Sequence, residues 1–102
     1  MHPIIEAKRR EVAEICRRQG VRRLEVIGSA ARDDFDASQS DIDFLVHLSD
    51  DPQDNPLDAY FGLKDALEAM FGRSVDLVSI GSVTNPYVKA SIERDRQMVF
   101  AA

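Results

Sequence analysis

The chain has 102 residues, 44% of them hydrophobic and 30% charged, with a formal net charge of −5 at pH 7 and one cysteine, Cys16. That length suits a single domain over residues 1–102 that buries roughly 60–70% of the surface of its unfolded chain. One cysteine excludes an internal disulfide, and the lack of a signal peptide or long apolar run excludes a membrane span and makes the cytosol the expected compartment.

The charge is unevenly spread. Seven of the thirteen basic residues fall between Lys8 and Arg23, and ten of the eighteen acidic ones between Asp33 and Asp65. A chain so balanced is a poor general binder of nucleic acid, and no direct binding is expected. The basic stretch is either the wet face of a helix or a surface for an acidic partner or a phosphate.

Ile4 to Gln19 reads as the first helix: Ile5, Val12, Ile15 and Cys16 make an apolar stripe, and Gly20 supplies the stop. His2, ahead of it, is expected to be disordered. Arg23 to Ile27 alternates as a strand and runs into Gly28-Ser29, a turn with so little bulk that a ligand can approach the backbone N–H groups. Ser29 to Arg32 begins a short helix whose first amides favour an anion. Arg32 either reaches a phosphate or pairs with a nearby Asp at the surface.

Asp41 to Leu48 is the second strand. Residues two apart on a strand share a face, so Asp41 and Asp43 stand together, ~7 Å apart at the root, with Ile42 on the other side. Such a pair repels itself unless a cation lies between, and magnesium suits it because it takes one or two carboxylates and completes its shell with water and phosphate oxygens. An EF-hand starting at Asp34 fails, since its sixth residue is Gln39 and its twelfth Leu45. Rossmann and P-loop readings fail for want of a G-x-G-x-x-G and of a Walker lysine. His47 shares the strand face of Asp43 and is expected to be a solvated strand-end histidine.

After a polar turn over Asp50 to Asn55, Asn55-Pro56 caps and opens a helix that ends before Gly72. Its apolar face is Tyr60, Phe61, Leu63, Leu67, Met70 and Phe71, and reads as core. Ser74 to Ile80 is the third strand. Asp76 within it either faces water at a sheet edge or joins the metal site, because burial unpaired would be costly. Asn85-Pro86 opens another helix through about Arg94, with Tyr87 at its surface, and Gln97 to Phe100 forms a last short strand. This order of elements gives an α/β sheet with helices packed against it.

Gly28-Ser29, a short spacer and Asp41-Ile42-Asp43 resemble the signature of the minimal nucleotidyltransferase (MNT) family, within the DNA polymerase β-like superfamily. Val75-Asp76-Leu77-Val78 and Asn85-Pro86-Tyr87 resemble later parts of such proteins, so the likeness covers most of the chain. Two departures bear on loop shape: the spacer Ala30 to Ser40 is one residue longer than the common form, and Asp33 stands where many members have Gly.

The resemblance implies a polymerase β-like palm, a mixed sheet with flanking helices. It also implies a magnesium-dependent nucleotidyltransferase that moves AMP from ATP to an acceptor hydroxyl. Asp76 becomes the third metal-site carboxylate beside Asp41 and Asp43, with two ions ~3.5–4 Å apart clamping an in-line displacement. Gly28 and Ser29 would hold the β- and γ-phosphates. MNT proteins are commonly antitoxins beside a HEPN-type RNase toxin, which several are thought to silence by adenylylating a toxin tyrosine, so a HEPN partner is implied. The alternative is a non-catalytic antitoxin-type module that neutralises its partner by complex formation. A nucleotide sensor without transfer is a third reading, which the presence of all three carboxylates disfavours.

Overall fold

Alternation along the strands sets the architecture. The structure, a computed structural model, describes residues 2–32, 41–49, 51, 55–79 and 83–102. β1 (Val21–Ile27), β2 (Ile42–Leu48), β3 (Val75–Ser79) and β4 (Gln97–Ala101) form a four-stranded sheet in the order β3-β2-β1-β4. β1 is antiparallel to β2 and to β4, whereas β2 and β3 are parallel, so the sheet is mixed. A parallel pair needs a long crossover, which α4 (Pro56–Phe71) supplies. The expected α/β class and mixed sheet are those found.

Register sorts the side chains onto two faces. Val26 pairs with Phe44, Leu24 with Val46 and Phe100, Phe44 with Leu77, and Ile42 with Val75. All are buried in one cluster with Val12 and Ile15 of α2 (Arg9–Gln19) and Leu63 and Leu67 of α4. The alternate positions Glu25, Ile27, Asp43, Leu45, Asp76 and Val78 therefore occupy the opposite face. α5 (Pro86–Asp95) lies beside that second face, where its Ile92 borders cavities next to both Asp43 and Leu45.

Three expectations are corrected. The helix over Ile4–Gln19 is two helices, α1 (Pro3–Glu6) and α2, parted at Ala7 and Lys8. His2, far from disordered, caps α1: its Nδ1 accepts from the Ile4 N–H at 3.1 Å, and its own N–H donates to the Ala30 carbonyl at 2.8 Å. That bond ties the first turn to α3 (Gly28–Arg32), with Ile5 fully buried, so α1 follows α3 rather than continuing α2.

The third correction is Phe61, which is 55% exposed rather than core. Leu63, Leu67 and Phe71 define the buried stripe of α4, and two residues of helix put Phe61 about 200° away from Leu63. Its neighbour Tyr60 is half-buried and donates its hydroxyl to the Leu77 carbonyl at 2.9 Å, tying α4 to β3. Ile80, Asp50 and residues 52–54 lie outside the described residues.

Asn55 and Asn85 cap α4 and α5 as expected, each Oδ1 accepting two backbone N–H groups, with Pro at the first helical position. At Asn55 the donors are Leu57 N and Asp58 N, at 3.0 and 3.3 Å. Replacing Asn55 with Ala leaves those amides to water and should lower folding stability by about 1 kcal/mol in urea denaturation at unchanged slope. An unmoved midpoint would show that the cap contributes nothing.

Candidate active site

β1 ends at Ile27, and the chain leaves it through Gly28 at φ +68°, backbone that side chains with a Cβ rarely adopt. A Cβ at Gly28 would also stand 2.7 Å from Asp43 Oδ2. The glycine is thus required twice, for the turn and for the approach of a carboxylate to bare backbone. α3 starts at this residue, and its Ala30 and Ala31 are buried. Ser29 lies in the first turn of α3; its side chain is outside what the structure describes.

The carboxylates converge through the sheet. Asp43 sits directly across from Ile27 on one side and from Asp76 on the other, so the second face of the sheet brings Gly28, Asp43 and Asp76 together. Asp43 is half-buried, while Asp76 and Asp41, the latter just ahead of β2, are exposed. Burial pushes the Asp43 carboxyl up from 3.8 to about 6. Repulsion by Asp76, a side-chain hydrogen bond shared with Asp76, and the charge of Asp41 push the same way.

Burial and the neighbouring acids disfavour the charged Asp43 carboxylate, and a divalent cation is the group that would offset that cost. The donors are all hard oxygens, which suit magnesium. Among the described residues no group of three or more His, Cys, Asp and Glu side chains is arranged to hold a metal ion by itself. Asp43 and Asp76 are a pair rather than a closed cage, so a cation beside them would need further oxygen ligands. Such a pair fits a hard divalent cation that brings ligands of its own.

The family model for the nucleotidyltransferase domain matches residues 9–99. This chain belongs to that family. It is a nucleotidyltransferase, and it is 40% identical over 75 residues to a protein of Methanocaldococcus jannaschii provisionally named a protein adenylyltransferase, covering 74% of this chain and 72% of the relative. A solved structure provisionally designated a minimal nucleotidyltransferase superposes with a TM-score of 0.77 at 32% identity, covering 95% of each chain. One chain of a solved complex, a tri-AMPylated HEPN toxin with MNT antitoxin from Shewanella oneidensis, shares the fold at a TM-score of 0.63 and 17% identity, covering 96% of this chain and 73% of that one.

Other residues of the nucleotidyltransferase stand differently from their sequence reading. Arg32 Nη1 forms an ion pair with Asp95 Oδ2 of α5 at 2.7 Å, so it pairs with an aspartate as one of its two readings had it, but with one distant in sequence. His47 is half-buried, not solvated: its Nε2 is buried without a hydrogen-bond partner among the described residues. It borders a cavity of about 740 Å³ with Arg22, Arg23, Ser49 and Ser79, against about 310 Å³ for one beside Asp43. Four residues of strand, ~13 Å, separate His47 from Asp43, so that cavity is not part of this site.

The sequence reading missed the wall that α5 gives to the site. A cavity of about 310 Å³ lies between Ile27, Gly28 and Asp43 and the Tyr87, Val88, Ser91 and Ile92 side of α5. The signal was available: those four residues fall at i, i+1, i+4 and i+5, one helix face. No residue of α5 is buried. Among the described residues no helix is long and apolar enough to cross a membrane.

Gly28→Ala should cost about 1–2 kcal/mol for the left-handed backbone alone and displace the Asp43 carboxylate, so that nucleotide binding falls together with the melting temperature. Unchanged nucleotide affinity would show that the close approach is dispensable.

A second outcome follows from Asp43. Its folded-state pKa, about 6, lies above the ordinary 3.8, so the folded protein binds this proton before the unfolded chain does. Through this group, stability rises as pH falls from about 6 toward 3.8 and is lost as pH rises through about 6. In metal-free protein near neutral pH, Asp43→Asn should therefore be more stable than wild type, by about 1 kcal/mol once solvent screening is allowed for. Thermal melts across pH in chelator test this, and parallel wild-type and variant curves would refute it.

Proposed function

We propose that this nucleotidyltransferase transfers AMP from ATP to a hydroxyl of a partner protein, a HEPN-type toxin, with a tyrosine as acceptor. The observation that carries the reading is the Asp43–Asp76 pair facing the bare Gly28 turn. Asp41, Asp43 and Asp76 would hold magnesium, two ions when nucleotide is bound; such ions supply charge neutralisation on the phosphates and acidify the acceptor hydroxyl. Backbone amides at Gly28 and Ser29, with the Ser29 hydroxyl, receive the β- and γ-phosphates at the start of α3.

Asp76 is exposed at the β3 side, the side open to a partner, and there it orients the acceptor hydroxyl. The acceptor hydroxyl gives up its proton to solvent, its oxygen bonds to the α-phosphorus, the bond from that phosphorus to the bridging oxygen breaks, and pyrophosphate leaves. Half-burial of Asp43 limits the water that competes with the acceptor. The names of the curated relatives support protein as the acceptor class, and the tri-AMPylated toxin in the structurally similar complex supports the toxin.

Co-expression with a HEPN-type toxin of the same genome, followed by intact-mass spectrometry of the toxin, tests the reading. Wild type should add one or more AMP masses, and Asp41→Asn/Asp43→Asn should add none. Toxin neutralised without a mass shift, and equally by the double variant, would refute transfer and leave a binding module.

A further inference from the structure

We propose that Tyr87 is the platform for the nucleobase of the donor nucleotide, with Val88 and Ile92 of the same helix face completing an apolar nucleoside subsite. The inference deepens the nucleotide reading above and rests on it.

Position argues first. Asp43 has β1 and Gly28 on one side and Asp76 of β3 on the other. The cavity of about 310 Å³ is bounded by Gly28 and Asp43 but by neither Asp41 nor Asp76. It therefore opens on the phosphate-turn side of Asp43, away from the strand that faces the acceptor. A triphosphate seated on Gly28 has its nucleoside within reach of this space.

Chemistry argues second. Apart from Asp43, the lining offers apolar surface from Ile27, Val88 and Ile92, the Tyr87 ring, and the hydroxyls of Tyr87 and Ser91. Tyr87 is 86% exposed and Val88 47%, and both border the cavity beside the Asp43 carboxylate. An exposed aromatic ring at the rim of a small, mostly apolar cavity is the arrangement that receives a flat heteroaromatic ring. The volume suits a nucleoside rather than a protein segment.

The backbone that carries the ring is fixed. The Tyr87 N–H donates to Asn85 Oδ1 at 2.9 Å, so the residue sits in a capped first turn. α5 is anchored beyond it by the Arg32–Asp95 ion pair and by Arg96 Nε, 3.3 Å from the buried Glu25. Every base has a stackable face, so such a platform contributes affinity with little reading of base identity.

Binding is measured by calorimetry with manganese, for ATP and for inorganic tripolyphosphate, on wild type, Tyr87→Ala and Tyr87→Phe. Tyr87→Ala should weaken ATP about ten- to a hundredfold and tripolyphosphate by less than about twofold, while Tyr87→Phe keeps ATP within about threefold of wild type. Tyr87→Ala that binds ATP like wild type, or that loses both ligands equally, overturns the platform. So does a wild type that binds ATP no more tightly than tripolyphosphate. A wild type that binds neither ligand overturns the nucleotide reading itself, and the platform with it.

Discussion

Two carboxylates side by side on adjacent parallel strands repel each other, and the rest of the sheet has to hold them there. The hold comes from the other face. Phe44 and Leu77, one residue beyond Asp43 and Asp76, pair across the same two strands and are buried in the core. A slip of one residue would turn the aspartates into that core and the apolar pair out to solvent, which fixes the register. The repulsion is then a local cost set against burial of a whole apolar face. It adds to the effect of burial, and together they push the Asp43 carboxyl up to about 6.

The same register places the Gly28 turn. Ile27 lies opposite Asp43, so the first residue past β1 must pass next to that carboxylate. With a glycine in the left-handed conformation the chain passes without a side chain in the way. α3 then starts against the sheet, and its buried Ala30 and Ala31 let it pack close. Turn and carboxylate are one feature seen from two strands. Backbone donors and acidic oxygens side by side are what a triphosphate with its metal requires, since its transfer depends on positioning and charge more than on a reactive side chain.

α5 is attached in another way. It contributes no buried residue and is joined to the rest by polar contacts at its C-terminal end. Arg32 of α3 meets Asp95, Arg96 meets Glu25, and the Gln97 side chain donates to the Ala31 carbonyl at 3.2 Å. Glu25 is itself buried on the second face, with Arg23 Nε 3.0 Å from Oε1 in ion-pair contact, though not aligned as a hydrogen bond. Removing either arginine would leave a buried acid short of a partner. Charge at its C-terminal end supplements the half-buried Ser91 and Ile92 in holding the helix against the sheet.

The sequence by itself determined the elements and the local devices. Asn-Pro pairs before α4 and α5, glycine stops after α2 and α4, and the alternation of β1 and β2 are short-range signals written in adjacent residues. So was the placing of a small turn ahead of Asp41 and Asp43. Asp76 remained open, because whether a lone strand aspartate meets water or another acid depends on the strand beside it. Only the tertiary structure decided that it lies across from Asp43, that Arg32 reaches Asp95, that Phe61 faces solvent, that His2 is pinned to Ala30, and that Tyr87 borders a cavity beside Asp43. These are matters of which apolar faces meet and at what register. A core built from distant segments sets them, and no local pattern encodes it.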